Sequence, residues 1–319
     1  FKLEGVSPMR KVPALREGDT VAFISPSSQS SMDSIEKAAK ITEDMGFKVK
    51  ITRSCYESEG YHSGPDFVRA DDLNRMFMDP DVSGIFCVRG GDGAIRLPQR
   101  VDLDAVYRNP KVFLGYSDIT ILHLMLNRPR GFITFHGPMP ASEFVRDSFP
   151  GYVRDSLLRA VTSTEPLGEI VPYESAPPME PLVPGTAEGE TIGGNLALVC
   201  SLLGTPWEID TRGKILLLED TNEPVYRIDR MLTQLRLAGK LDAAAGIVLG
   251  QFTNIQPRKP KDSFTLQEVL EAVVAPVGRP TLINGCFGHD VKKATIPLGV
   301  RAVLDGSRST LTVIEAGVE

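Results

Sequence analysis

Apolar positions come in short runs, each closed by a glycine, a proline or a polar cluster. In the first half, Thr20 to Ser25 (TVAFIS), Phe47 to Thr52, Val82 to Val88 (VSGIFCV), Val112 to Leu114 and Phe132 to Phe135 read as strands. Ser34 to Met45, Pro65 to Met78 and Asp118 to Asn127 read as helices, the first two stopped by Gly46 and Asp79-Pro80. Strands alternating with helices predict βαβ units and a mostly parallel sheet. Ligands bind beyond the carboxyl ends of such strands. Two loops fall there: Arg89-Gly90-Gly91-Asp92-Gly93 and Gly115-Tyr116-Ser117-Asp118.

In the second half, Thr191 to Asn195 (TIGGN) leads into an apolar helix from Leu196 to Leu203. Lys214 to Leu218 (KILLL) reads as a buried strand delivering Glu219-Asp220 at its end. Pro224 opens a helix in which Val225, Ile228, Met231, Leu232 and Leu235 recur at helical spacing. Gly246 to Phe252 reads as a strand, Phe264 to Val274 as a helix, and Thr281 to Ile283 as a strand before Asn284 to Asp290. Val300 to Leu304 and Thr310 to Ile314 pair as a hairpin about Asp305-Gly306. Prolines 172, 177, 178, 181 and 184 mark residues 166–184 as a linker. The expected domains are therefore 1–165 and 185–319.

Composition narrows the function. A chain of 319 residues suits two domains, and 42% hydrophobic with 24% charged residues is ordinary for a globular protein. The net charge of −6, with no basic block, argues against a nucleic-acid partner. No apolar run approaches the roughly 18 residues of a membrane span, and no signal segment is visible after Phe1. The four cysteines, Cys55, Cys87, Cys200 and Cys286, form no Cys-x-x-Cys pair. That fits small core residues in a reducing compartment better than zinc or thioredoxin chemistry.

Ser117 follows an apolar strand and Gly115 and precedes a helix, which is the logic of a nucleophile elbow. The spelling departs from Gly-x-Ser-x-Gly at Ile119, and the alternative is that Ser117 and Asp118 only cap the helix. Of the four histidines, His62 lies in a polar loop and His123 in an apolar helix. His136 ends a strand, open to a pocket or a structural role, and His289 follows Gly285 and Gly288. Glu219 is either a site carboxylate or an acceptor for the Pro224 helix. The order Ser117, Glu219, His289 is that of the α/β-hydrolases, although geometry, not order, defines a triad. The Arg89–Gly93 loop fits neither a dinucleotide fingerprint nor a P-loop. Its glycines instead suit backbone N–H groups turned toward an anion, as an oxyanion hole requires. Gly193-Gly194-Asn195 is a weaker candidate for the same task. No metal-ligand motif is present, so neither metal nor cofactor is expected.

Taken in order, Arg89-Gly90-Gly91, Gly115-Tyr116-Ser117-Asp118-Ile119-Thr120, Gly193-Gly194-Asn195-Leu196, Leu217-Leu218-Glu219-Asp220, Tyr226-Arg227-Ile228-Asp229-Arg230-Met231-Leu232 and Phe287-Gly288-His289 resemble the LD-carboxypeptidase family. These are the muramoyltetrapeptide carboxypeptidases, with the microcin C self-immunity proteins among them. The resemblance runs from about Leu15 to Ile314. It implies an α/β fold: an N-terminal flavodoxin-like parallel sheet with helices on both faces, and a C-terminal α/β domain with a small β-rich core. It implies a triad of Ser117, Glu219 and His289, with oxyanion donors on the backbone of Asp118 and Gly91. It further implies release of terminal D-alanine from murein tetrapeptides during peptidoglycan recycling, and a homodimer with its site at the domain interface. A cytoplasmic setting follows, although a periplasmic member would read the same. Arg89, Asp92 and Asn195 are the substrate-side candidates. Asp92 stands where many members carry an aromatic residue. The immunity-type reading, cleavage of aminoacyl-sulfamoyl adenylates, goes with more sequence between serine and glutamate than this chain has. A non-catalytic α/β binder is the remaining alternative.

Overall fold

Strands that are apolar at every position need cover on both faces, and helices with one apolar face supply it. The computed structural model describes residues 9–146, 149–257 and 260–319. β1 (Thr20–Ile24), β2 (Lys48–Ile51), β3 (Gly84–Cys87), β4 (Val112–Gly115) and β5 (Thr134–His136) run parallel in the order β2-β1-β3-β4-β5. Ile296–Leu298, from far along the chain, adds antiparallel to β5. One register row crosses the sheet through Ile51, Phe23, Phe86, Leu114 and Phe135. β3 and β4 are buried throughout, whereas the edge strand β2 alternates between exposed and half-buried positions.

The strands are joined by α1 (Met32–Asp44), α2 (Asp66–Met78), α3 (Leu103–Arg108) and α4 (Thr120–Leu126), with α5 (Gly151–Thr162) following β5. α1 starts where the Ser31 hydroxyl accepts the Ser34 N–H at 3.2 Å, and it buries Ile35, Ala38 and Thr42 on one face. Phe77 of α2 stacks on Phe113 of β4 and meets Phe132, with ring centroids 6.0 and 5.6 Å apart. Each such fully buried ring contributes about 1.5–3 kcal/mol. The flavodoxin-like expectation holds, and the strand order reverses between β1 and β3, where a ligand crevice is expected.

The second sheet is built from β6 (Gly168–Glu169), β7 (Glu180–Val183), β8 (Thr186–Asn195), β9 (Ile215–Thr221), β10 (Gly246–Thr253) and β11 (Thr281–Ile283). With Ile296–Leu298 numbered β12, it is completed by β13 (Arg301–Asp305) and β14 (Thr310–Val313). Its order is β6-β14-β13-β8-β9-β10-β11-β7, parallel from β8 to β11 and antiparallel outside them. α6 (Leu196–Ser201), α7 (Val225–Leu237), α8 (Lys240–Ala243) and α9 (Leu266–Val273) connect the strands. In α7 the residues expected on the apolar face, Val225, Ile228, Met231, Leu232 and Leu235, are the buried ones.

By its contacts the chain forms two compact units, 1–165 with 295–299 and 316–319, and 166–294 with 300–315. The proline-rich segment 166–184 supplies both outermost strands of the second sheet, β6 and β7. Pro181 is tolerated in β7 because an edge strand can lack a ladder donor. The Thr191–Asn195 stretch ends the ten-residue strand β8. A Cβ on Gly193, at φ +136°, would fall 1.9 Å from the Leu217 carbonyl oxygen of β9. Only glycine allows the two strands that close an approach.

Candidate active site

Val112 to Gly115 feeds the chain straight from β4 into a short 3-10 turn, Ser117–Ile119, that runs on into α4. Ser117, the residue at the bend, is half-buried and has φ +65°, a left-handed conformation that costs a non-glycine residue about 1–2 kcal/mol. The turn's N-cap is Tyr116 and makes no side-chain cap bond. The Asp118 carboxylate does not cap the helix either. Its Oδ2 accepts the Ser27 hydroxyl at 2.7 Å and the Ala94 N–H at 2.8 Å. One buried carboxylate thus joins the loops after β1 and β3 to the turn after β4. Burial pushes its pKa up to about 6, against the pull of those two hydrogen bonds.

The glycine loop after β3 lies against this turn. A Cβ on Gly90 would meet Ser117 Cβ at 2.9 Å and Asp118 N at 3.4 Å. Gly91 has φ +113°, and a Cβ there would fall 2.2 Å from Ser28 Oγ. Ser28 Oγ accepts the Asp92 N–H at 3.0 Å, and the Ser28 N–H donates to the Gly90 carbonyl at 3.3 Å. Exposed Arg89 donates through Nη1 to the Gln29 carbonyl at 3.1 Å. Its side chain lines a polar cleft of about 590 Å³ with residues of the β1 loop and the start of α1.

Glu219 lies inside β9, opposite Asn195 of β8, rather than on a loop after the strand. It is fully buried, and its Oε2 accepts from His289 Nδ1 at 2.6 Å. The helix it was expected either to cap or to ignore, α7, has Pro224 as its N-cap with no side-chain cap bond. Its other oxygen, Oε1, is buried without a hydrogen-bond partner among the described residues. Gly288, at φ +128°, lets the two side chains meet, because a Cβ there would lie 3.0 Å from Glu219 Oε2. Next along β9, Asp220 accepts from Asn195 Nδ2, the Thr221 N–H and the Ala197 N–H at 3.1, 2.7 and 3.0 Å. Burial first, then the neighbouring Glu219 charge, raises its pKa to about 6. Asn195 also accepts the Leu198 N–H at 3.2 Å, so its amide caps α6 and holds Asp220.

The other histidines have structural surroundings. His123 is fully buried, with Nδ1 on Thr134 Oγ1 and Nε2 on the Gly115 carbonyl, both at 2.8 Å. His136 is buried between the rings of Tyr116 and His123, with centroids at 5.8 and 6.4 Å. His62 is in a loop as read but buried, edge-on to Tyr61 and directly under Gly93. Sequence reasoning passed over Gln251 of β10, whose amide holds the His289 loop and which no motif signals. All four cysteines are buried. Among the described residues no group of three His, Cys, Asp or Glu could hold a metal ion, and no helix is long and apolar enough to cross a membrane.

Residues 21–137 match the family model for the LD-carboxypeptidase N-terminal domain, and residues 188–304 match that for the LD-carboxypeptidase C-terminal domain. The chain belongs to the LD-carboxypeptidase family. The chain is 40% identical to a probable murein peptide carboxypeptidase of Bacillus subtilis strain 168, over 99% of this chain and 98% of that one. It is 27% identical to the microcin C7 self-immunity protein MccF of Escherichia coli, over 97% of this chain and 96% of the relative. Its fold is also that of a crystal structure of muramoyltetrapeptide carboxypeptidase from Oxalobacter formigenes. The TM-score is 0.81 at 26% identity, covering 92% of this chain and 97% of that one. The two family models leave residues 138–187 between them, the stretch that includes β6 and β7.

Proposed function

We propose that the protein is a serine peptidase that hydrolyses the amide between the L-centre of the diamino acid and the terminal D-alanine of murein tetrapeptides. The observation that carries this reading is the buried Glu219 carboxylate on His289 Nδ1, 2.6 Å away. A carboxylate there fixes the tautomer and leaves Nε2 to take a proton. Ser117, held at φ +65° on its turn, is the nucleophile. It attacks the scissile carbonyl as its proton passes to His289 Nε2. The imidazolium, stabilised by Glu219, returns that proton to the leaving amine of D-alanine. Water then cleaves the acyl-enzyme with His289 again as base. The N–H groups of Asp118 and Gly91 serve the tetrahedral oxyanion, each contributing about 3 kcal/mol. The Asp92 N–H, held by Ser28 Oγ, is already engaged. Arg89, in the cleft beside Gly90, is the cation assigned to the carboxylate of the departing D-alanine.

The likeness to MccF favours a second reading, hydrolysis of an aminoacyl-sulfamoyl adenylate. The murein substrate ranks first because identity is 40% to the Bacillus protein against 27% to MccF. The test is incubation of the purified protein with a murein tetrapeptide and, separately, with aspartyl sulfamoyl adenosine, followed by mass spectrometry. Release of D-alanine from the first alone supports the reading, and cleavage of the second alone replaces it. A serine-reactive phosphonate that leaves Ser117 unlabelled would remove the serine mechanism.

A further inference from the structure

The strand beside Glu219 carries an irregularity. Leu249 of β10 faces Leu218 of β9, but Phe252 faces Asp220, so β10 spends one extra residue opposite Glu219. Such a bulge breaks the alternation of side chains and re-aims one of them. The residue re-aimed here is Gln251. Its backbone N–H donates to the Phe287 carbonyl at 2.8 Å. Its side-chain Oε1 accepts the Asp290 N–H at 3.1 Å, and its Nε2 donates to the Lys292 carbonyl at 2.9 Å. These bonds grip the backbone on both sides of His289. Gly250, just before it, is pressed against the same loop, where a Cβ would fall 2.5 Å from the Phe287 carbonyl oxygen.

From this we infer that Gln251 is a positioning residue for His289. The bulge turns its amide onto the histidine loop and holds the imidazole in line with Glu219. The inference rests on the proposed role of His289 as base. Glu219 accepts a hydrogen bond from the ring and packs against Gly288, whereas Gln251 makes three hydrogen bonds to the loop's backbone. A Gly-rich loop, with glycine at 285 and 288, has the freedom to move the ring by an ångström or more unless something ties it. Gln251 ties it from the same strand pair that carries Glu219, so base and orienter share one frame.

The test uses Gln251→Met, which keeps the length but loses both polar ends, and Gln251→Glu, which keeps the acceptor for the Asp290 N–H. The first readout is the far-downfield NMR signal of the proton between His289 Nδ1 and Glu219, assigned by its loss in His289→Gln. The second is kcat and KM on the tetrapeptide. For Gln251→Met the expected result is a folded protein with that signal broadened or lost. KM should stay within about twofold and kcat should fall roughly a hundredfold, the cost of a misplacement near 1 Å. Gln251→Glu should recover part of both the signal and kcat. A folded Gln251→Met with the signal and kcat intact overturns the inference. If Gln251→Met does not fold, the inference stands or falls on Gln251→Glu: a signal and kcat equal to wild type overturn it, and a weakened signal with lowered kcat and unchanged KM supports it. If no variant and no wild-type protein releases D-alanine, the proposed function fails while the NMR arm still decides the positioning role.

Discussion

Gly90 lies so close to Ser117 that a Cβ at position 90 would sit 3.1 Å from the serine hydroxyl oxygen and 2.9 Å from its Cβ. Gly90→Ala therefore pushes on the proposed nucleophile itself. The backbone at 90 is not in the left-handed region, so the fold should tolerate the change. The expected loss in kcat is roughly a hundredfold or more. Steady-state kinetics beside far-UV circular dichroism checks it, and a folded variant with wild-type turnover would mean that the turn gives way freely.

Ser117 itself should show strain. At φ +65° alanine pays what serine pays, whereas glycine does not. Ser117→Gly should be more stable than Ser117→Ala by about 1 kcal/mol, with both inactive. Urea unfolding of the pair measures the difference, and equal midpoints would remove the strain argument.

Glu219→Gln keeps the size of the side chain but ends the charge that steadies an imidazolium. Turnover should fall on the order of a thousandfold or more, as in acid-to-amide changes in a Ser-His-Asp triad. The melting temperature should barely move. A large fall in stability with activity preserved would make the pair a structural contact.

Asp118 supplies a pH test. Its carboxyl holds its proton up to about pH 6 in the folded protein, against an ordinary value of 3.8. Stability from this group is present below about pH 4 and is lost as pH rises through about 6, since the folded state binds the proton more tightly. Asp118→Asn has nothing to ionise and still presents an oxygen to Ser27 and Ala94. Relative to wild type, the variant should gain on the order of 2 kcal/mol between about pH 4 and about pH 7.5. Unfolding of both proteins at the two pH values gives the number, and a constant difference would refute it.

The first sheet was legible because its strands are apolar runs and its helices have one apolar face. The turn at Ser117 was legible for the same reason, since an apolar strand that stops at Gly115 before a helix has few other readings. β9 was not read to its end. An apolar run stops at Leu218, but the strand continues because Glu219 and Asp220 have partners that let them be buried: His289 for one, Asn195 and two backbone N–H groups for the other. β8 was not read as a strand because glycines at 189, 193 and 194 interrupt its pattern. Gly189 and Gly193 are there because β9 and its approach come too near for a side chain, and Gly194 has a backbone φ of +138°. Gln251 could not be found at all, since a bulge is set by the pairing of two strands and leaves no mark on either alone.

The strand β12 and the bridge between Val12 and Val318 have a consequence for how the protein is made. A ribosome that has passed residue 165 has already delivered Ser117 on its turn, but β5 still has no neighbour on one side. That bare edge is a template for pairing with other nascent chains. It closes only when Ile296–Leu298 has emerged, after both Glu219 and His289. Synthesis thus delivers Ser117 early and completes its sheet last, and translation that stalls between these points leaves an adhesive fragment.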